Sequence, residues 1–347
     1  MTSSSTARPG NKDQNKSLMK DTRVIIGDVG GTNCRLASCD RISGRIEDFQ
    51  IFAVRDFNSL SDIIQVFKES QSSTSFNAAS IAIANPIMGD MITMTNAHWA
   101  FSIEQTRESC GLNELLMLND WESVALALPL LTDEQLSKVN QAQENPDGTK
   151  ALFGVGTGLG AAGLVRKKDS SWVQIAGEGG HVSFSPVNRE EAMILEIFRE
   201  HHNHVSFEKI LSGPGLKALY QATVKLSGAV PVDDLAPSEI VEGAATASDP
   251  MCQRTIEIFC GILGNFAGNL CLTLGATGGV YVGGGVIEKI DQAGLFDRDR
   301  FLNRLAHKGR LSEWLGNIPA FLLRTPYAGL IGAAAALGIQ NVSVIER

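Results

Sequence analysis

At 347 residues the chain is long enough for two domains, each burying its own core. A net charge of −8 without a Lys/Arg stripe excludes a nucleic-acid binder, and 35 glycines beside 44% apolar residues fit an α/β enzyme built on backbone-contacting loops. The six cysteines (Cys34, Cys39, Cys110, Cys252, Cys260 and Cys271) are scattered with no Cys-x-x-Cys pair, so they read as reduced core thiols of a cytoplasmic protein, not as a disulfide or zinc framework.

Residues 1–21 are rich in Ser, Thr, Asn and Lys and read as a disordered polar tail. The run Val24-Ile25-Ile26 predicts a buried strand, and residues 34–39 a second. Between them lies Gly27-Asp28-Val29-Gly30-Gly31-Thr32-Asn33, so the glycines join two strands. A Walker loop or a dinucleotide fingerprint would run from a strand into a helix, and that order is excluded. Gly30 and Gly31 are expected to take positive φ, turning their amides into an anion-binding nest, with Asp28 able to hold a magnesium ion. Residues 46–53 predict a third strand and 59–69 a helix with Ile63, Ile64 and Phe67 inward. An apolar strand over 80–84 ends at the turn signal Asn85-Pro86; 91–96 form another strand, and Ser102 caps a helix to about Ser109. Residues 115–118 make a wholly apolar strand that stops on Asn119-Asp120, and a helix follows over 121–130.

After a polar loop over 138–148, residues 151–153 lead into a second glycine hairpin, Gly154-Val155-Gly156-Thr157-Gly158-Leu159-Gly160, returning through 161–165. Two such hairpins, each opening a strand-rich block, predict a duplicated fold with a nucleotide held between the halves. A strand near 172–175 precedes Gly177-Glu178-Gly179-Gly180-His181; helices are read at 190–201 and, briefly, 205–211, the latter closed by Ser212-Gly213-Pro214-Gly215. Further helices fall at 216–226, 237–245 and 251–274, a strand at 280–282 runs into Gly283-Gly284-Gly285, and 301–307, 320–323 and 330–337 read as helix, strand and Ala-rich helix. Residues 258–287 carry no charge and could span a bilayer by length, but Asn265, Asn269 and the glycines divide them into a buried helix and a core strand.

Asp120, at the end of a buried strand, is the candidate general base, able to take a proton from a substrate hydroxyl during phosphoryl transfer; the same position also suits an acidic residue complementing a helix dipole. Glu178 and His181 can hydrogen-bond vicinal hydroxyls. His201, His202 and His204 sit at a helix end, where imidazoles complement the dipole, and are not read as a metal set.

Taken in order, Gly27 to Asn33, Met94-Thr95-Asn96, Leu118-Asn119-Asp120, Gly156 to Gly160, Gly177 to His181, Val205-Ser206-Phe207-Glu208 and Leu211 to Gly215 resemble bacterial-type glucokinase, the ATP-dependent hexokinase of the actin-like superfamily. The resemblance covers about residues 22 to 340. It implies an α/β, two-lobe actin-like ATPase (RNase H-like) fold with mixed sheets flanked by helices and an interlobe cleft. The small lobe would be 22–130 with 325–347 and the large lobe 131–324. It implies Asp120 as catalytic base, and Asn96, Asn119, Asp120, Glu178, His181 and Glu208 as residues around the sugar. ATP would be bound through Asp28, Gly30, Gly31, Thr32 and Asn33, then Gly156, Thr157 and Gly158, with Gly283, Gly284 and Gly285 on the adenosine side and Asp28 serving Mg²⁺. The implied reaction is phosphorylation of D-glucose at O6 by a cytoplasmic homodimer that engages no nucleic acid and no membrane. The related repressor/kinase group carries a Cys-rich zinc motif near its active-site histidine; here no Cys follows His181 until Cys252, so zinc is not expected. The alternatives are a kinase for another hexose and a non-catalytic sugar sensor on the same fold.

Overall fold

The computed structural model describes residues 22–71, 74–94, 97–229 and 235–345. The polar tail and Asn96 therefore lie outside the described residues. The chain divides into two compact units: the described residues up to Leu130 together with those from Tyr327 onward, and Leu131–Pro326.

In the first unit the strands β1 (Arg23–Val29), β2 (Asn33–Asp40) and β3 (Arg45–Ala53) form an antiparallel meander. β4 (Ala78–Ile83) and β7 (Glu114–Asn119) extend it in parallel on the other side of β1, and β14 (Ser343–Val344) pairs with β3 to complete the order β14-β3-β2-β1-β4-β7. All six residues of β4, Ser80 among them, are buried, as in a parallel strand covered on both faces. A small ribbon pairs β5 (Met91–Thr93) with β6 (Ala100–Ser102). Helix α1 (Leu60–Ser70) starts in a capping box between Ser59 and Asp62 and buries Ile63, Ile64 and Phe67, as its spacing predicts. α2 (Ile103–Ser109) begins on Ser102, whose hydroxyl accepts from the Gln105 amide. α3 (Asp120–Ala127) follows β7 without a loop.

The second unit repeats the plan. β9 (Lys150–Val155), β10 (Leu159–Arg166) and β11 (Trp172–Gly177) form the meander; β12 (Val280–Gly283) and β13 (Ala320–Leu323) add in parallel; β8 (Leu136–Lys138) closes the far edge in antiparallel sense. The five-strand order and sense β3-β2-β1-β4-β7 recur as β11-β10-β9-β12-β13, so the duplication signalled by the two glycine hairpins is present in the backbone.

Helices of this unit are α4 (Arg189–Arg199), α5 (Gly213–Ser227), α6 (Pro237–Ala245), α7 (Pro250–Leu274), α8 (Gly285–Gln292), α9 (Arg298–Ala306) and the short α10 (Ser312–Gly316). α7 is long and apolar enough to cross a membrane by composition, yet 78% of its most apolar window is buried in the unit's own core. α11 (Ala328–Ala336) belongs to the first unit.

Three expectations need correction. Residues 205–211 form no helix: they run through turns and one bridge, Ser183 to Ser206. Ser212-Gly213-Pro214-Gly215 does not close a helix but opens α5, with the Ser212 hydroxyl accepting from the Gly215 amide and Pro in the first turn, where its missing N–H costs nothing. Gly30 and Gly31 do not take positive φ. Their turn is closed instead by the Gly30 amide, which donates to the Asn33 carbonyl at 2.9 Å and is thereby withdrawn from any anion nest.

Candidate active site

The first hairpin places Asp28 opposite Arg35 across the β1–β2 register. Its carboxylate lies 3.4 Å from the Arg35 guanidinium and its side chain keeps 26% exposure. Burial raises the Asp28 pKa, and Arg35 only partly opposes that shift. Gly329, in the first turn of α11, comes so close that a Cβ there would sit 3.3 Å from the Asp28 carboxyl carbon. Thr32 and Asn33 stand exposed at the hairpin tip, beside the half-buried Gly30 and Gly31, and the Thr32 carbonyl accepts from Val54. One under-compensated carboxylate is a donor set suited to Mg²⁺, which keeps most of its shell as water and substrate phosphate oxygens.

At the end of β7 the chain turns straight into α3. Asn119 is the N-cap: its Oδ1 accepts from the amides of Trp121 and Glu122, and its Nδ2 donates to the Asn85 carbonyl at 3.5 Å. Asp120 is the first helical residue, its Oδ1 2.9 Å from the Trp121 amide. The carboxylate is therefore held at a helix N-terminus, partly exposed, with one oxygen tied to the backbone. The position complements the helix dipole and fixes the carboxylate in place.

The second hairpin, β9–β10, is closed by the Gly156 amide donating to the Gly158 carbonyl at 2.9 Å, while Thr157 is exposed at its tip. Against it packs a short 3-10 turn, Gly179–His181, preceded by Glu178. The structure brings Glu178, His181 and Glu208 together. His181 Nε2 is 3.9 Å from Glu178 Oε2, and His181 Nδ1 is 3.9 Å from Glu208 Oε1. Neither gap is a direct hydrogen bond, but each can be bridged by a hydroxyl oxygen bonded to both sides. The rims are open: the side chains of Glu178 and His181 are 59% exposed, that of Glu208 26%. A hydroxyl-rich ligand finds here carboxylates that accept and an imidazole that both donates and accepts.

Gly283 ends β12 in register with Gly154 of β9, so the third glycine run lies beside the second hairpin. Gly284 has φ 95°, and a Cβ on it would lie 2.3 Å from the Val155 carbonyl oxygen, so only glycine fits. Gly285 then opens α8, a helix that sequence reading stopped short of, because the glycines mask the apolar spacing of Ile287 and Ile290.

Sequence reasoning missed three participants. Arg35 was legible as the residue facing Asp28 once the hairpin register is drawn. The Leu159 amide, which donates to Glu208 Oε2 at 2.9 Å, carries no side-chain signal at all. Gly329 hides in an Ala-rich helix.

The family model described as Glucokinase matches residues 25–339. A glucokinase of Cronobacter sakazakii is 42% identical over 314 residues, covering 90% of this chain and 96% of the relative, and one of Chromobacterium violaceum is 42% identical over 313 residues, covering 90% and 88%. Among solved structures, the glucokinase from an Antarctic psychrotroph superposes with a TM-score of 0.82 at 33% identity, covering 91% of this chain and 99% of that one. A ROK family glucokinase from Streptomyces griseus, in complex with glucose and AMPPNP, shares the fold with a TM-score of 0.60 at 18% identity over 90% and 98% of the two chains. With the duplicated actin-like sheet and a family match that runs from β1 past α11, this chain belongs to the glucokinase family.

Proposed function

We propose that the protein transfers the γ-phosphoryl group of ATP to O6 of D-glucose. The observation that carries the choice of substrate class is the triad of Glu178, His181 and Glu208, spaced for hydroxyls and set against the second glycine hairpin. In this reading these side chains, with Asn119 and Asn96, hold the sugar hydroxyls. Asp120 accepts the O6 proton as the oxygen bonds to phosphorus, and the pair of electrons of the breaking P–O bond leaves with ADP. Asn119 cannot offer Oδ1 to the sugar, because the helix cap occupies it; its amide nitrogen is the group available. The turns around Gly30 to Asn33 and Gly156 to Gly158 receive the phosphates, and Gly283 to Gly285 the adenosine side. Asp28 would hold Mg²⁺, which supplies neutralisation of charge on the β- and γ-phosphates.

A cytoplasmic homodimer is part of the same reading. Its support for the compartment is chemical: all six cysteines are free and buried.

The test is ATP-dependent ADP release, with Mg²⁺, across glucose, mannose, fructose, N-acetylglucosamine and N-acetylmannosamine. Selective turnover of glucose is the expected result. Selective turnover of another hexose would keep Asp120 and reassign the hydroxyl ligands. A folded protein that binds ATP and sugar but turns over none of them would be a sensor.

A further inference from the structure

Glu208 has two faces. Oε1 looks toward His181 at 3.9 Å, whereas Oε2 accepts the Leu159 amide of the second glycine hairpin at 2.9 Å. Its own backbone amide donates to the Gly180 carbonyl at 2.9 Å, so the residue is stitched to the turn that carries His181. On the hairpin side the packing is closed as well: a Cβ on Gly158 would lie 2.6 Å from Glu208 Oε2, and one on Gly180 would lie 1.9 Å from the Leu159 carbonyl oxygen. The Gly213 amide at the start of α5 holds the same hairpin from the next side, donating to the Gly156 carbonyl at 2.8 Å. By contrast, a Cβ on Gly156 would meet no atom within 4 Å, which leaves that face of the turn open to a phosphate.

We propose that Glu208 is the mechanical link between sugar and nucleotide in this unit, one carboxylate oxygen binding a sugar hydroxyl and the other fixing the hairpin that receives phosphate. The inference rests on the reading of Glu178, His181 and Glu208 as the sugar site. A bound sugar restricts the Glu208 side chain to one rotamer, and that rotamer is the one that holds the Leu159 amide. The ordering cost of the hairpin is then met before the nucleotide arrives, so each ligand raises the affinity of the other by the same factor. A second consequence is specific to Gly158. A methyl group there displaces Oε2, so a substitution in the phosphate hairpin weakens sugar binding with no nucleotide present.

The experiment is calorimetric titration of glucose into the nucleotide-free protein, and of AMPPNP with and without saturating glucose. Wild type that binds glucose establishes the site; wild type that binds no glucose overturns the reading beneath the inference, an outcome distinct from any difference among the variants. In Gly158→Ala the glucose Kd is expected to rise at least tenfold. In Gly156→Ala the glucose Kd stays within twofold while AMPPNP binding weakens. Glucose is expected to tighten AMPPNP binding about fivefold or more in wild type, a coupling of roughly 1 kcal/mol. Glu208→Gln retains an oxygen for the Leu159 amide and keeps that factor despite weaker sugar binding; Glu208→Ala brings it to one. Equal glucose affinities in the two glycine variants, or an undiminished coupling factor in Glu208→Ala, would overturn the proposal. Should Glu208→Ala fail to fold, the Gly158→Ala and Gly156→Ala pair decides alone.

Discussion

Asp120 and Asp28 are both carboxylates at the ends of first-unit strands, yet their surroundings give them different work. Asp120 stands at a helix N-terminus with one oxygen on the Trp121 amide, which fixes the carboxylate in place. Asp120→Asn keeps the shape and removes the proton acceptor. We expect kcat to fall about 10²- to 10⁴-fold with the glucose Kd nearly unchanged, measured by ADP release and direct titration. Near-normal turnover would exclude this base. At Asp28 burial disfavours the charge and raises the pKa, and one partly exposed arginine compensates incompletely. A carboxyl group whose folded pKa lies above its unfolded value of 3.8 binds more protons folded than unfolded over the interval between the two. Its ionisation therefore destabilises the fold as pH rises through that interval, and the loss persists at neutral pH. Asp28→Asn is expected to raise Tm at pH 7 while lowering activity and weakening its Mg²⁺ dependence. A lower Tm in metal-free buffer would show that the Arg35 pair outweighs desolvation.

At the scale of elements, most strands were legible because their signals are local. Val24-Ile25-Ile26 and residues 81–84 are continuous apolar runs, and the two glycine hairpins announce their own turns. Ser102 marked a helix start through capping chemistry that acts over three residues. Two of the misreadings share one physical origin: glycine and proline signal an end and a beginning alike. Ser212-Gly213-Pro214-Gly215 looks like a stop, but a proline in a first helical turn loses no hydrogen bond, and the serine there caps forward. Of the residues proposed for the sugar, Glu178 and His181 could be read from their glycine-rich loop, whereas Glu208 stands in an irregular segment whose partner is a backbone amide. The same blindness applies to α11, whose Ala-rich pattern says helix but not what it packs on. Gly332 answers that: a Cβ there would lie 1.7 Å from the Ser123 carbonyl oxygen of α3, and the Ser123 hydroxyl donates to the Gly329 carbonyl at 2.7 Å. Backbone-to-backbone contact of this kind cannot yield without moving α3, which carries Asp120 on its first turn. Gly332→Ala is expected to cost at least about 1–3 kcal/mol in chemical denaturation and to lower kcat as well. A variant of unchanged stability would mean that α11 can slide along α3 freely.

For the molecule as a whole, six thiols act as reporters. Cys34, Cys39 and Cys110 lie in the first unit and Cys252, Cys260 and Cys271 in the second, all free and buried. Burial pushes Cys39, Cys252, Cys260 and Cys271 up to about 12, aided at Cys39 by the Asp40 carboxylate and at Cys252 by that of Asp249. At pH 8 the thiolate fraction of such a group is of order 10⁻⁴, and the sulfur is covered besides, so labelling must wait for the protein to open. We expect no fast reaction with an aromatic disulfide reagent in the native state and release of six equivalents in denaturant, one for each cysteine of the chain. When opening and closing are fast relative to labelling, the rate follows the open population, and a ligand that binds only the folded form lowers it by the factor 1 + [L]/Kd. Glucose at 100 times its Kd should thus slow labelling of Cys252, Cys260 and Cys271 roughly 100-fold, because the three side chains assigned to the sugar belong to the same unit. Glu178→Ala should lose most of that protection at the same glucose concentration while its unliganded labelling rate stays near wild type, since the Glu178 side chain is 59% exposed and buries little on folding. Protection that survived the Glu178 substitution intact would move the sugar away from this triad.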